Sequence, residues 1–172
     1  MAKSDSFFIR ATQNIQDDGN YYQGTIDLGA YVDALGKSVL RIHNIAVAFT
    51  DKDGRAADLV TGGTIAAAAQ FQVVTQTQND IVVASNKSVV ASGMINAYRT
   101  KNSYGVADTV SDQFDNLPQL WTNGYLVAVD SIYLGGSATD KWNEDVYVSI
   151  TMECTVETMN TAAAMALALS QQ

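Results

Sequence analysis

Asp145-Val146-Tyr147-Val148-Ser149-Ile150-Thr151-Met152-Glu153-Cys154-Thr155-Val156-Glu157 alternates apolar and polar side chains almost without a break. With a period of two, Val146, Val148, Ile150, Met152, Cys154 and Val156 share one face, and Tyr147, Ser149, Thr151, Glu153, Thr155 and Glu157 share the other. A helix would scatter the same residues around its axis. The stretch is therefore a strand with one buried face, and Cys154 belongs to that face as a small core hydrophobe.

Working outward, Ser38–Phe49 has Leu40 and Ile42 on one phase and Ile45, Val47 and Phe49 on the other. One extra residue at His43-Asn44, a β-bulge, would return all five to the same side. His43 sits at that irregularity and reads as a structural histidine. Further strands are expected at Ser6–Ala11, Gln23–Leu28, Gln70–Gln76, Asp80–Ala84, Val89–Tyr98 and Tyr125–Leu134, which makes about eight. The expected fold is an all-β antiparallel sandwich, specifically an eight-stranded jelly roll.

The connections read as turns and loops. Gly29–Gly36 is too short for a free helix and gives one or two turns. Thr50–Arg55 carries an Asp-Gly corner, and Gly135–Asp140 reads as a flexible loop. Ala66–Ala69 reads as a loop or brief helix. Thr100–Thr122 is an irregular stretch holding the only proline, Pro118, with Tyr104, Phe114 and Trp121, and long ordered loops usually have a job. Thr158–Ser170 has the Ala-rich composition of a helix with Thr or Asn caps. It either packs back on its own sandwich or seeks a partner. The expected layout is a sandwich over residues 1–157 with a helical tail, 158–172, in the same domain.

Composition narrows the function. The chain has 172 residues, 47% hydrophobic and 16% charged, so it folds, and Thr, Ser, Asn, Gln and Ala stand in for the missing charge. Short neutral side chains lose little entropy when a neighbour buries them, a hint of assembly that a plain soluble β-domain would equally give. Ten Lys and Arg against 18 Asp and Glu give a net charge of -8 with no basic run, so direct nucleic-acid binding is not expected. One cysteine and one histidine exclude an intramolecular disulfide and any multi-histidine metal site. No stretch is apolar and long enough to span a bilayer, and no signal-like segment precedes the first strand.

Chemistry finds little purchase. There is no Gly-x-Ser-x-Gly elbow, no phosphate-binding Gly-rich loop ending in Lys-Ser/Thr, and no Gly-x-Gly-x-x-Gly turn. Asp17-Asp18-Gly19-Asn20 and Asp51-Lys52-Asp53-Gly54 could offer oxygens to Ca²⁺, but neither continues into a twelve-residue loop with a closing glutamate. No enzyme activity and no cofactor is expected. Tyr21, Tyr22, Trp121, Tyr125 and Trp142 could serve as a sugar platform or as protein–protein anchors, and sequence does not separate the two uses.

The acidic, strand-rich chain, with Ile26-Asp27-Leu28-Gly29-Ala30-Tyr31-Val32 leading into Val39-Leu40-Arg41-Ile42-His43-Asn44-Ile45, resembles the single-jelly-roll capsid proteins of tailless icosahedral viruses of bacteria and archaea. The likeness rests on strand layout and carries over no functional residue. It implies a coat subunit, made in a host cytoplasm and ending in a virion, whose partners are copies of itself and other virion proteins. Such copies form capsomers that tile a shell over a genome or an internal membrane. The acidity adds that a membrane or another protein lies between shell and nucleic acid. A phage tail-tube or head-decoration subunit, a carbohydrate-binding β-sandwich and a small hydrolase on a β-scaffold are the rival readings. Candidate subunit contacts are Trp121 and Trp142 in the connections and Met165 and Leu169 on the terminal helix.

Overall fold

Alternation along the chain becomes two facing antiparallel sheets. The computed structural model describes residues 3–33, 37–100, 107 and 109–172. Its elements are β1 (Phe7–Gln16), β2 (Tyr22–Asp27), β3 (Ser38–Thr50), β4 (Ile65–Val74), β5 (Val89–Arg99), β6 (Thr109–Gln113), β7 (Tyr125–Val127), β8 (Ser131–Ala138), β9 (Val146–Thr158) and α1 (Thr161–Ser170). One sheet runs β1-β9-β3-β7 and the other β2-β8-β4-β5-β6.

The pairs β1·β9, β2·β8, β3·β7 and β4·β5 are nested, the outermost strands together and so on inward. Rolling one long antiparallel hairpin into a barrel gives this order, which is that of a jelly roll. β6 is an addition to the eight strands of the roll. Among the described residues it pairs only with β5, at the edge of the second sheet.

β9 lies between β1 and β3, and its inward residues Val146, Val148, Ile150, Met152 and Cys154 are at most 1% exposed. They join Phe71, Val73, Ile132 and Leu134 of the facing sheet in one core. Phe49, Phe71 and Phe114 form a ring triangle with centroids 6.0–6.4 Å apart, which ties both sheets to the segment after β6. The β3 bulge falls where the phase change requires it. Ile42 pairs with Cys154 and Asn44 with Glu153, so His43 is the inserted residue.

Several expectations need correcting. Ala66–Ala69 is part of β4, with Ala67 and Ala69 inward at 5% and 1% exposure. Weak β-propensity is overridden there by pairing on both sides, to β5 and β8. Tyr125–Leu134 is two strands in different sheets, because the chain crosses between them at Ala128–Asp130. Gly135 and Gly136 lie within β8 rather than in a loop. A Cβ on Gly136 would collide with the Gln70 carbonyl and Ile15, and one on Gly135 with Tyr21. Asp80–Ala84 is not a strand. Val83 is 72% exposed, and the segment is held by a side chain: Val82 N–H donates to Gln72 Oε1 at 2.9 Å and Gln72 Nε2 donates to Asp80 O at 3.0 Å. Within Gly29–Gly36, residues 29–31 form a turn, while 34–36 lie outside the described residues, as does Tyr104.

α1 packs back on the fold through one face. Asn160 Oδ1 caps it by accepting from Ala163 N–H at 2.8 Å, and Ala164 and Ala168 press on Val39 and Ala128. Small side chains let the helix approach the start of β3 and the end of β7 closely.

Candidate assembly surfaces

The outward face of the four-stranded sheet is polar, and near the β3 bulge it is covered. Arg41, on β3, meets Glu157, on the adjacent β9, through two bonds: Nε to Oε1 at 2.7 Å and Nη2 to Oε2 at 2.9 Å. Arg41 also donates to the carbonyl of Asn123. The guanidinium holds the Glu157 carboxyl below the usual carboxylate range, and the carboxylate raises Arg41 in turn. Beside them His43 Nε2 lies 2.9 Å from Thr155 Oγ1. Burial of the imidazole lowers its pKa, and Lys3 and Arg41 push it the same way against Glu153 and Glu157. Thr155 and Glu157, on the polar phase of the strand, are consequently only 3% and 5% exposed. Alternation told which face they occupy and not what covers it.

Arg41, His43 and Glu157 line a cleft of about 610 Å³ with Lys3, Asn44, Gln119, Trp121, Thr122 and Asn123. A histidine bonded to a hydroxyl has the outline of a base and nucleophile, but Thr155 is too buried to meet a substrate carbonyl. The pair instead pins the bulge. Across the cleft, Gln119 accepts from Ile45 N–H at 2.9 Å and donates to Ile45 O at 3.2 Å. Its side-chain amide takes the place of a neighbouring strand where β7 has ended.

Trp121 and Trp142 have opposite fates. Trp121 follows the 3₁₀ turn Pro118–Leu120, is 40% exposed and rests against Tyr125 with ring centroids 5.8 Å apart. Tyr125 props the indole from behind, leaving its outer side to solvent. Trp142 is corrected from surface anchor to core residue: it is 4% exposed, and its indole N–H donates to Ala68 O at 3.1 Å. Its backbone bridges that of Leu59, itself a buried core residue. Of the five aromatics considered as a platform, only Trp121 and Tyr125 are in ring contact among the described residues. Tyr21 and Tyr22 are instead engaged by Gln72 and Asp18.

Met165 and Leu169, one turn apart on α1, are 44% and 70% exposed on the face away from Ala164 and Ala168. The end of the helix is fixed by Gln171, whose Oε1 accepts from Ala128 N–H at 2.9 Å and whose Nε2 donates to Leu126 O at 2.6 Å. Thr75 Oγ1 adds a bond to the Gln171 carbonyl at 2.8 Å. An apolar pair is thus displayed on a rigid mount.

The two acidic turns spend their oxygens on their own backbone. Asp18 accepts from Asn20 N–H, Asn20 Nδ2 and Tyr22 Oη, and Asp51 Oδ1 accepts from Asp53 and Arg55 N–H. Among the described residues no group of three or more His, Cys, Asp or Glu converges on a metal-sized site. Sequence reading missed Gln72, Gln119 and Gln171, because a glutamine's pairing with a distant backbone leaves no local pattern.

Neither a family model nor a characterised protein sequence matches the chain. Its structural neighbours are viral jelly-roll capsid proteins. They include VP1 of trichodysplasia spinulosa-associated polyomavirus in complex with GM1 oligosaccharide, at 8% identity and a TM-score of 0.47, covering 90% of this chain and 96% of that one. Apo chimpanzee polyomavirus VP1 matches at 7% identity and a TM-score of 0.46, again over 90% and 96%. Turnip yellow mosaic virus matches at 7% and 0.34, over 89% of this chain and 80% of that one.

Proposed function

We propose that the chain is a coat subunit that assembles with copies of itself into a virion shell. The observation that carries this reading is the display of Met165 and Leu169 on a helix whose other side is locked by Ala164, Ala168 and Gln171. An exposed apolar pair on a mobile tail would have no defined geometry to offer. On a fixed mount it is a docking element, with Trp121 on its Tyr125 prop as a second. The jelly roll suits the role, being a self-contained wedge whose loops and outer faces are free to vary.

The cations support a shell that meets its cargo through another layer. Arg41 is bound by Glu157, Lys141 lies 3.1 Å from Asp140, Arg10 stacks over the Phe8 ring at 5.6 Å, and Arg99 is fully buried. On a chain of net charge -8 these do not sum to a phosphate-binding track. Other virion proteins or an internal membrane would occupy that layer. No helix among the described residues is long and apolar enough to cross a membrane.

The test is electron microscopy of the purified protein, with sedimentation velocity alongside. Closed shells or capsomers support the reading. Tubes would favour a tail-tube subunit instead, and a monomer at every concentration would overturn self-assembly.

A further inference from the structure

Among the described residues four sheet edges end this sandwich, and three are covered. The β7 edge is bonded by Gln171, as described above. On the opposite side the β1 and β2 edges lie against each other, with β1 packed on β2 and β8 and Gln13 reaching Gly24 so closely that a Cβ there would strike its Oε1. The fourth edge is β6. All five of its residues are exposed, and among the described residues no group outside β5 bonds its outer backbone edge. It contains no proline, no lysine and no bulge, and Asp112, on the inner phase with Val110, is its one charged residue. Val110, 57% exposed, projects beyond the core on its inner side.

We infer that β6 pairs antiparallel with β6 of a second copy, joining two five-stranded sheets into one continuous sheet. The occupant follows from the other edges: among the described residues of a second copy, β6 is the one edge strand with neither a strand nor a side chain set against its outer edge. Such a contact is isologous and closes on a two-fold axis. With the axis at Ser111, all five residues find partners: Thr109 faces Gln113, Val110 faces Asp112, and Ser111 faces Ser111. No like charges are then directly opposed. The outward side chains of β5 and β6 around the join, Met94, Asn96, Tyr98, Thr109, Ser111 and Gln113, carry no charge. Two copies of net charge -8 would meet here on neutral outward faces, with one carboxylate per strand, Asp112, on the inner side. Added salt should tighten the pair, because it screens the repulsion of the whole subunits and weakens no ion pair across the join.

This deepens the coat-subunit reading by naming one of its contacts, and it rests on that reading only for self-association. The experiment is a cysteine cross-link. Ser111→Cys places two thiols at the axis, where Cα atoms across an antiparallel pair lie about 4.5–5.5 Å apart, within reach of a disulfide. The native Cys154 is fully buried and gives a clean background, and Val83→Cys, exposed on another surface, is the control. Under mild oxidation, covalent dimer should form at least about tenfold faster for Ser111→Cys than for Val83→Cys, a difference of about 1.4 kcal/mol in effective barrier. Equal rates would overturn the inference. In the unmodified protein, hydrogen exchange over residues 109–113 should slow as concentration rises, and concentration-independent fast exchange would also overturn it. Micrographs separate the two readings. Shells without the cross-link leave the coat function standing and remove this contact, whereas cross-linked dimers without shells do the reverse.

Discussion

Gln171 stands beside Ala128 as a neighbouring strand would, accepting its N–H at 2.9 Å while donating to the carbonyl of Leu126 two residues away. One side-chain amide completes the edge of β7 and anchors the helix that precedes it. Gln171 is 3% exposed, so its loss leaves backbone groups unpaired away from water. Gln171→Ala should cost about 1–3 kcal/mol in denaturant unfolding. Gln171→Glu should cost at least as much, because a carboxylate cannot donate to Leu126. A neutral result for both would show that water completes the edge equally well.

The β9 phase gives a paired test on adjacent residues. Ile150 is 1% exposed, and Ile150→Asp buries a carboxylate without a partner, costing more than about 3 kcal/mol or forcing protonation. Thr151 faces outward and pairs with Arg10 on β1. Thr151→Asp should change stability by no more than about 0.5 kcal/mol. Thermal melts of the two variants decide it, since equal melting would place both side chains in the same environment.

Acid should loosen the cleft in two stages. His43 and Glu157 both have pKa values below their ordinary ones, so each binds fewer protons folded than unfolded. Their stabilisation is complete above the ordinary histidine value of about 6.5 and declines as pH falls, through His43 first and through Glu157 below about 4.3. His43→Gln should flatten the upper stage and keep the lower one. Urea midpoints measured between about pH 2 and 8 report both stages; an unchanged upper stage in the variant would remove His43 from the account.

The tryptophans should separate folding from assembly. Trp142→Ala opens the core and loses an indole bond, at about 3–5 kcal/mol. Trp121→Ala and Leu169→Asp alter exposed positions and should keep the wild-type circular dichroism and nearly the same melting temperature. Particle yield should nevertheless collapse for these two. Normal yield from both would leave the Trp121 and α1 surfaces without a role in contacts.

Much of the roll was legible because its strands carry the information locally. β9 announces its buried face, and the phase change in β3 places the bulge at His43 within one residue. β5 is bounded in the sequence almost as it is in the structure. What failed was decided by distant partners. The alanines of β4 have no strand preference of their own and are held by β5 and β8. Tyr125–Leu134 stays apolar across a change of sheet, so period two cannot show the crossing. Trp121 and Trp142 look alike in sequence, both aromatic residues in irregular connections. Only Ala68, reaching the indole of Trp142 from another strand, makes one core and leaves the other for the surface.

The nested pairing also sets an order of events during synthesis. β4 and β5 follow one another in the chain and can pair early, but β9, an inner strand of the four-stranded sheet, is made after both its neighbours. Until residues 146–158 have left the ribosome, β1 and most of β3 have no ladder to complete, and their apolar faces have no sheet to belong to. Contacts this distant along the chain form slowly, since the intervening loop must be ordered before any bond rewards it. Crowded nascent chains are therefore most exposed to one another's open edges in the interval just before β9 arrives. A subunit made in quantity would rely in that interval on rapid release, or on a chaperone that shields β1 and β3.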